Sequence, residues 1–449
     1  VAQGGHDAST GSASGHLRGR RCRCRPPRPE PRPVDSCLKH LPLSASRART
    51  QVSFFELRDS IVATSLCASC GACSAVCPQE AIIVSEDHVH PVLAPGLESL
   101  DCGACTLCID ICPGRDTGVT ASEMRLHGRT RNPEERWTGI FLRTYSARAK
   151  DPHILKAASA GGVGTALLVS AMQRGEIDAA LVVGRDAERP WVPQARMVDS
   201  VDAIIDCAQA TYCVTPNLQL LRQQDFERVA VVGLACEIEA IEKMRNLAVV
   251  PDVAKRIAFT IELACASNTS RQGTEHLIEN RLHLPLADVA SMRYRAGDYP
   301  GAFTVVDSNG TTRQLPFHEL VEEFKRFKPF RCLACPDWWS GLADISIADD
   351  DPNIFKTSRN LSSAPKATLV MTRTAAGQSL LDASASDGSL ELSDTVFTPQ
   401  DSLGLQRKRH RYADYHHKFP NRTPTPPVSG VEVARPLTDD RVIERMSGQ

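Results

Sequence analysis

Short apolar runs alternate with longer amphipathic ones across the middle of the chain, roughly from residue 140 to residue 384. Residues 140–147 read as a strand, 165–174 as an apolar helix stopped by Gly175, and 177–183 as a buried strand. A second strand–helix unit follows at 228–233 and 237–245, and a third strand at 256–263. Residues 303–307 and 311–315 flank Asn309-Gly310, the dipeptide that tight hairpin turns prefer. Further strands are expected at 343–348 and 367–372, with a helix at 375–384. Strands alternating with helices imply an α/β domain whose sheet is mostly parallel and covered on both faces, here spanning 138–400.

The ends of the chain carry no such pattern. Residues 1–55 are rich in Gly, Ser, Pro and Arg, and the run from Arg18 to Arg32 shows no hydrophobic periodicity. Such a segment cannot bury enough apolar surface to offset its ordering entropy, so it reads as a disordered tail. A transit peptide or a nucleic-acid contact are weaker readings of the same arginines. Residues 414–449, with Thr423-Pro424-Thr425-Pro426-Pro427, read as a second flexible tail.

Composition narrows the class. Charged residues at 23% and a net charge of −1 give no electrostatic argument for nucleic acid. No apolar stretch approaches the length of a membrane span. Seventeen cysteines without a disulfide-scaffold's short length point to a reducing, cytoplasmic setting.

Eight of those cysteines form two copies of one pattern, Cys67-x-x-Cys70-x-x-Cys73-x-x-x-Cys77-Pro78 and Cys102-x-x-Cys105-x-x-Cys108-x-x-x-Cys112-Pro113. This is the spacing of cubane 4Fe-4S ligands, and the fourth cysteine of each run crosses to the other cluster. Cys67, Cys70, Cys73 and Cys112 are therefore assigned to one cluster, and Cys102, Cys105, Cys108 and Cys77 to its partner. Zinc would separate its C-x-x-C pairs by a long loop rather than crowd four together twice. Residues 60–120 are accordingly read as an α+β ferredoxin-like two-cluster domain. Gly71 and Gly103 are expected to let the backbone wrap closely around the sulfides.

The segment Ser159-Ala160-Gly161-Gly162-Val163-Gly164 lies between a predicted strand and helix, where open N–H groups and the helix dipole suit a phosphate. Taken by itself the motif is short of a dinucleotide fingerprint. Cys332 and Cys335 form a further C-x-x-C, and Cys236 and Cys265 each follow a predicted strand. A third cluster, a zinc site, or plain packing are all open on spacing. Cys207 and Cys213 read as packing residues, His153 as a loop residue, Arg293 and Arg295 as solvated or anion-binding, and Trp338 and Trp339 as core.

The order of these landmarks resembles the coenzyme F-420 hydrogenase/dehydrogenase beta-subunit family over about residues 60–400. Its carriers are Ser159–Gly162, Gln209-Ala210-Thr211-Tyr212, Val232 to Ala240, Leu263-Ala264-Cys265, Arg293 to Gly297 with Pro300-Gly301, and Cys332 to Asp337 before Leu342 to Ser346. The resemblance implies an iron–sulfur flavoprotein oxidoreductase. It makes Ser159, Gly161, Gly162 and Thr165 candidates for the FAD phosphate loop. It makes Cys236, Cys265, Cys332 and Cys335 ligands of a third 4Fe-4S cluster. The implied partners are a small-molecule hydride carrier, the deazaflavin coenzyme F-420, and a ferredoxin or another redox protein subunit. A ferredoxin-dependent reductase of an organic substrate, or a non-catalytic electron-transfer subunit, are the alternatives.

Overall fold

The computed structural model describes residues 54–84, 89–97, 102–223, 225–399 and 401–420, so the expected tails lie largely outside it. Within the cysteine-rich segment, strands β1 (Ile82–Val84) and β2 (Pro91–Leu93) pair antiparallel. A short helix stands inside each motif, Ala72–Val76 in the first and Leu107–Asp110 in the second. Both begin just after the C-x-x-C turns, and Gly71 enters the first with φ +83°.

The remaining strands are β3 (Arg143–Ala149), β4 (Ala179–Arg185), β5 (Pro193–Val198), β6 (Val229–Leu234), β7 (Ile257–Leu263), β8 (Val289–Ala296), β9 (Ala302–Asp307), β10 (Thr312–Pro316), β11 (Ile345–Asp349), β12 (Thr368–Thr372) and β13 (Leu390–Asp394). Eight of them form the main sheet in the order β13-β3-β12-β11-β7-β6-β4-β5, and β8, β9 and β10 form an antiparallel sheet of their own. The main sheet is mixed, which corrects the expectation of a mostly parallel one. Its parallel block is β11-β7-β6-β4, while β5, β12, β3 and β13 join antiparallel. For β5 the reason is connection length: β4 returns to it over seven residues, too few for a crossover helix.

Fully apolar runs mark the buried strands of the block, as in β4, where Ala179, Ala180 and Leu181 have no solvent exposure. The helix Val163–Gln173 lies on one face, burying Ala166, Leu167 and Leu168 against β3, β4 and β11 side chains. The helix Ala235–Arg245 covers the other face with Ile238, Ile241 and Met244. Cys70, Ala72, Ala75, Val76, Ile111 and Val119 pack into this second core beside Leu181, Val231 and Ile241. The cysteine-rich segment therefore shares its apolar interior with the sheet.

The two motif glycines differ at that junction. A Cβ on Gly71 would stand 2.7 Å from the Gln219 amide and 2.9 Å from the Pro216 carbonyl, so its lack of a side chain admits the neighbouring backbone. By contrast, nothing lies within 4 Å of a Cβ built on Gly103.

A helix at Leu403–Lys418 has no counterpart in the sequence pattern, and the tail expected from residue 414 begins inside it. At the other end, Phe54 and Phe55, within the expected tail, open a helical turn, Phe54–Leu57. No helix of the described residues is long and apolar enough to cross a membrane.

Candidate redox site

The fourteen described cysteines are all free thiols. Burial, with the charge of Cys112 adding to it, pushes the Cys67 thiol up to about 11. Cys70 and Cys73 are pushed higher by burial, and the charges of Cys67 and Cys112 bear on both. In the second motif burial raises Cys108 to about 12, with Cys105, Cys102 and Cys77 adding to it. Cys105 is raised by burial and by Cys102 and Cys77. Cys112 thus acts on Cys67, Cys70 and Cys73 across the motifs as well as on Cys108 in its own, and Cys77 acts on Cys105 and Cys108. A small apolar hollow lined by Cys67, Cys70, Cys73 and Cys112, with Leu57, Ile61 and Ile111 around it, sits under the first set.

The last helix closes over the other four cysteines. Lys408 Nζ donates to the Cys265 carbonyl at 2.7 Å, and Arg411 donates to the carbonyls of Ala266, Leu333 and Cys332. Burial works against the Lys408 ammonium, yet the charges of Cys335 and Cys265 hold its pKa above the usual lysine value. Burial raises the Cys265 thiol to about 11 against the pull of Lys408, with Cys332 and Cys335 pushing the same way. Cys236 is half-buried and feels both Cys70 and Cys335, so it stands between the first motif and this last set.

Among the described residues no group of three or more His, Cys, Asp or Glu side chains is arranged to hold a metal ion. A lone zinc needs donors converging at ~2.3 Å, whereas a cubane spreads its thiolates around a larger body. The donor chemistry fits the latter. Arg331 is 2% exposed, and its Nε and Nη1 have no hydrogen-bond acceptor. The Trp338 indole N–H is likewise buried without a partner. Sulfides would accept from such donors.

A cavity of about 980 Å³ opens at the carboxyl ends of β4, β6, β7 and β11, lined by Val183, Gly233, Leu234, Leu263 and Asp349. That edge is where open α/β sheets bind ligands, and the volume is at the upper end for a cofactor site. The glycine loop forms one wall through Ser159, Ala160, Gly162, Gly164 and Thr165. Gly162 caps the helix Val163–Gln173 at φ +75° with no side-chain cap, which leaves the first-turn amides for a ligand. Gly161 is held away from the lumen. Its amide donates to Thr368 Oγ1 at 2.9 Å, and its carbonyl accepts from the Ala149 amide at 2.7 Å. Ser159 Oγ accepts from the Ala210 amide at 2.9 Å, which fastens the loop to Gln209–Tyr212. Gln209 Oε1, on the cavity wall, is buried without a partner. Open helix amides and orphaned polar atoms fit a dinucleotide. Cys265 and Trp338 stand on the same cavity's wall, so it reaches the last cysteine set.

Other residues singled out in the sequence have clear places. Arg295 is buried and forms a bidentate ion pair with Asp349 at 2.9 and 3.0 Å, rather than being solvated. Arg293 donates to the carbonyls of Ala157 and Ala208. His153 is exposed on a helical turn capped by Asp151. Trp339 is fully buried and donates to the Ile347 carbonyl at 3.3 Å. Cys207 packs in the main core and Cys213 is buried.

Two lining residues carry no signal in the sequence. Burial raises the Glu237 carboxyl to about 8 although it accepts from the Leu234 amide at 2.8 Å. Lys328 is lowered to about 8 by burial and by Arg411, and its ammonium has no hydrogen bond or ion pair among the described residues. Glu237 falls within the Val232–Ala240 stretch, where nothing marks its carboxyl, and Lys328 lies in no recognisable motif.

Two family models match, one describing the N-terminal and the other the C-terminal part of the beta subunit of coenzyme F420 hydrogenase/dehydrogenase, over residues 144–222 and 226–396 respectively. The chain is 26% identical over 264 residues to the coenzyme F420 hydrogenase subunit beta of Methanosarcina barkeri, covering 58% of this chain and 84% of that one. It is also 26% identical over 276 residues to the subunit beta of the same name from Methanothermobacter thermautotrophicus, covering 60% and 90%. A coenzyme F420-dependent sulfite reductase of Methanocaldococcus jannaschii is 29% identical over 190 residues, 42% of this chain and 26% of that protein. A chain in the solved F420-reducing [NiFe] hydrogenase complex of Methanosarcina barkeri has the same fold, with a TM-score of 0.52 and 24% identity over 64% of this chain and 94% of that chain.

Proposed function

Because the chain belongs to the coenzyme F420 hydrogenase/dehydrogenase beta-subunit family and is an F420-linked oxidoreductase subunit, we propose that it binds FAD in the 980 Å³ cavity and three 4Fe-4S clusters on its twelve motif cysteines. One observation carries the reading: a single cavity has helix-start amides at one wall and Cys265 at another. When bound, a flavin exchanges hydride with a two-electron carrier and single electrons with clusters, a conversion neither partner performs alone.

The residues of the chain do the rest. The amides after Gly162 hold anionic oxygens, and the Ser159 bond to Ala210 keeps that loop against the sheet. Lys325, Lys328, Arg407 and Arg411 line the cavity beneath the last helix, a cationic stretch suited to the anionic tail of a hydride carrier. Trp338 and Trp339 help wall the cavity off from water on the side of Cys265. A ferredoxin or another redox protein subunit meets the chain at the paired N-terminal motifs.

Anaerobically purified protein tests this directly. About twelve irons and one flavin per chain, with oxidation of reduced deazaflavin by a dye acceptor, are the expected results. Protein that holds no flavin sinks the reading. Lys328 adds a pH signature. Its ammonium is lost as pH rises through about 8, so affinity for an anionic carrier should fall across that range. K328M should bind more weakly below pH 8 and show a smaller fall, that left by Glu237, which gains its charge over the same range; an unchanged profile would remove Lys328 from the site.

A further inference from the structure

We propose that Arg331 is a counter-ion shared by two cysteine sets, Cys67/Cys70/Cys73/Cys112 and Cys236/Cys265/Cys332/Cys335, and that it ties their reduction potentials together. The proposal rests on the three-cluster reading above. Arg331 lies on the turn Phe330–Leu333, directly before Cys332, and its side chain is 2% exposed. Its Nη2 points at the Pro113 carbonyl, 3.4 Å away and one residue past Cys112. One guanidinium therefore borders both sets.

Its own chain satisfies it only through Nη2. Nε and Nη1 are buried with no acceptor, and the nearest carboxylate oxygen, Glu239 Oε2, is 3.9 Å from Nη2. A buried guanidinium without hydrogen-bond partners is costly unless an anion supplies them. The anions in reach are the carboxylates of Glu239 and Asp337 and, on both sides, the cysteine sulfurs with whatever they hold. Its charge is felt by Cys67 and Cys112 on one side and by Cys236 and Cys332 on the other.

Two lysines provide the contrast. Lys243 Nζ donates to the Cys112 and Asp116 carbonyls, at 2.8 and 3.0 Å, and so touches only the first set. Lys408 Nζ donates to the Cys265 carbonyl and touches only the last. A fixed positive charge or an N–H donor beside a cluster favours the form carrying the extra electron and raises its potential. No bond forms at Arg331 and it gives up no proton; each set gains one electron on reduction.

The test is a redox titration of the full chain, prepared anaerobically and followed by electron paramagnetic resonance. K243M should lower one transition and K408M a different one. R331M should lower both of these together, each by about tenfold in the oxidised-to-reduced ratio at fixed poise, or about 59 mV, and leave the third unmoved. A variant that moves one transition, none, or all three equally overturns the proposal. Should R331M lose iron, R331K carries the test: its charge stays but the forked donor goes, so both transitions must still shift together, and a shift in one alone overturns it. Wild-type protein with about eight irons defeats the three-cluster reading itself, whereas about twelve irons with a single moved transition defeats only the role of Arg331.

Discussion

Replacing Cys332 and Cys335 together by serine is expected to lower the iron of anaerobically prepared protein from about twelve to about eight atoms per chain. The remaining iron should belong to the paired N-terminal motifs, because the other motif cysteines act electrostatically among themselves. Flavin should be retained, since the glycine loop and the helix Val163–Gln173 are built from a separate part of the chain. Reduction of the N-terminal iron by a hydride donor should slow by about two orders of magnitude or more, on the order of 3 kcal/mol in barrier. Iron analysis, flavin absorbance and stopped-flow reduction read the three outcomes. Iron that stays at about twelve would show that these cysteines hold none.

The second large effect belongs to Gly161. A Cβ there would lie 2.5 Å from the Ala147 carbonyl and 2.8 Å from both the Thr368 amide and its Oγ1, all on neighbouring strands of the main sheet. None of the backbone atoms can swing aside as a flexible side chain would. Gly161→Ala must push the loop off β3 and β12, with a cost of roughly 1–3 kcal/mol from overpacking alone. Because Gly162 follows directly, the amides of the first helical turn move with it. Flavin retention should fall at least tenfold, and the thermal midpoint should drop. Gly164→Ala is the companion: its Cβ would meet only Ile347 Cδ1, at 3.3 Å, within an existing helix. It should leave stability close to that of the parent. A G161A protein that keeps full flavin and an unchanged midpoint would exclude the loop from cofactor binding.

Much of this was legible in the sequence for identifiable reasons. Apolar runs located β4, β6, β7, β11 and β12 to within a few residues, because buried strands must be apolar on both faces. Asn309-Gly310 marked the hairpin of β9 and β10. Strand direction was not legible: β12 is as apolar as β7, yet it runs antiparallel to β11. The helix Leu403–Lys418 was hidden by its composition. Arg407, Lys408, Arg409 and Arg411 have the look of a solvated run, but Lys408, Arg409 and Arg411 bury their stems and spend their charges on carbonyls, those of Cys265 and Cys332 among them.

The candidate site shows the same division. Cysteine spacing is a local signal, so both N-terminal motifs could be proposed as cluster ligands from the sequence alone. The placement of Cys236 beside both Cys70 and Cys335 depends on how the helix Ala235–Arg245 packs, which no spacing records. Glu237 and Lys328 owe their altered acidities to burial. That property belongs to the fold rather than to the residue type.

The interior shared between the cysteine-rich segment and the sheet limits what can be grafted onto this chain. A free-standing two-cluster ferredoxin, spliced ahead of residue 120, would bring a solvated surface where Ala72, Val76 and Ile111 now pack against Ile241 and Met244. It would also need a glycine in a left-handed turn wherever Pro216 and Gln219 press in. The segment is thus no interchangeable cassette. Its spacing from the cavity is set by side-chain packing rather than by a linker.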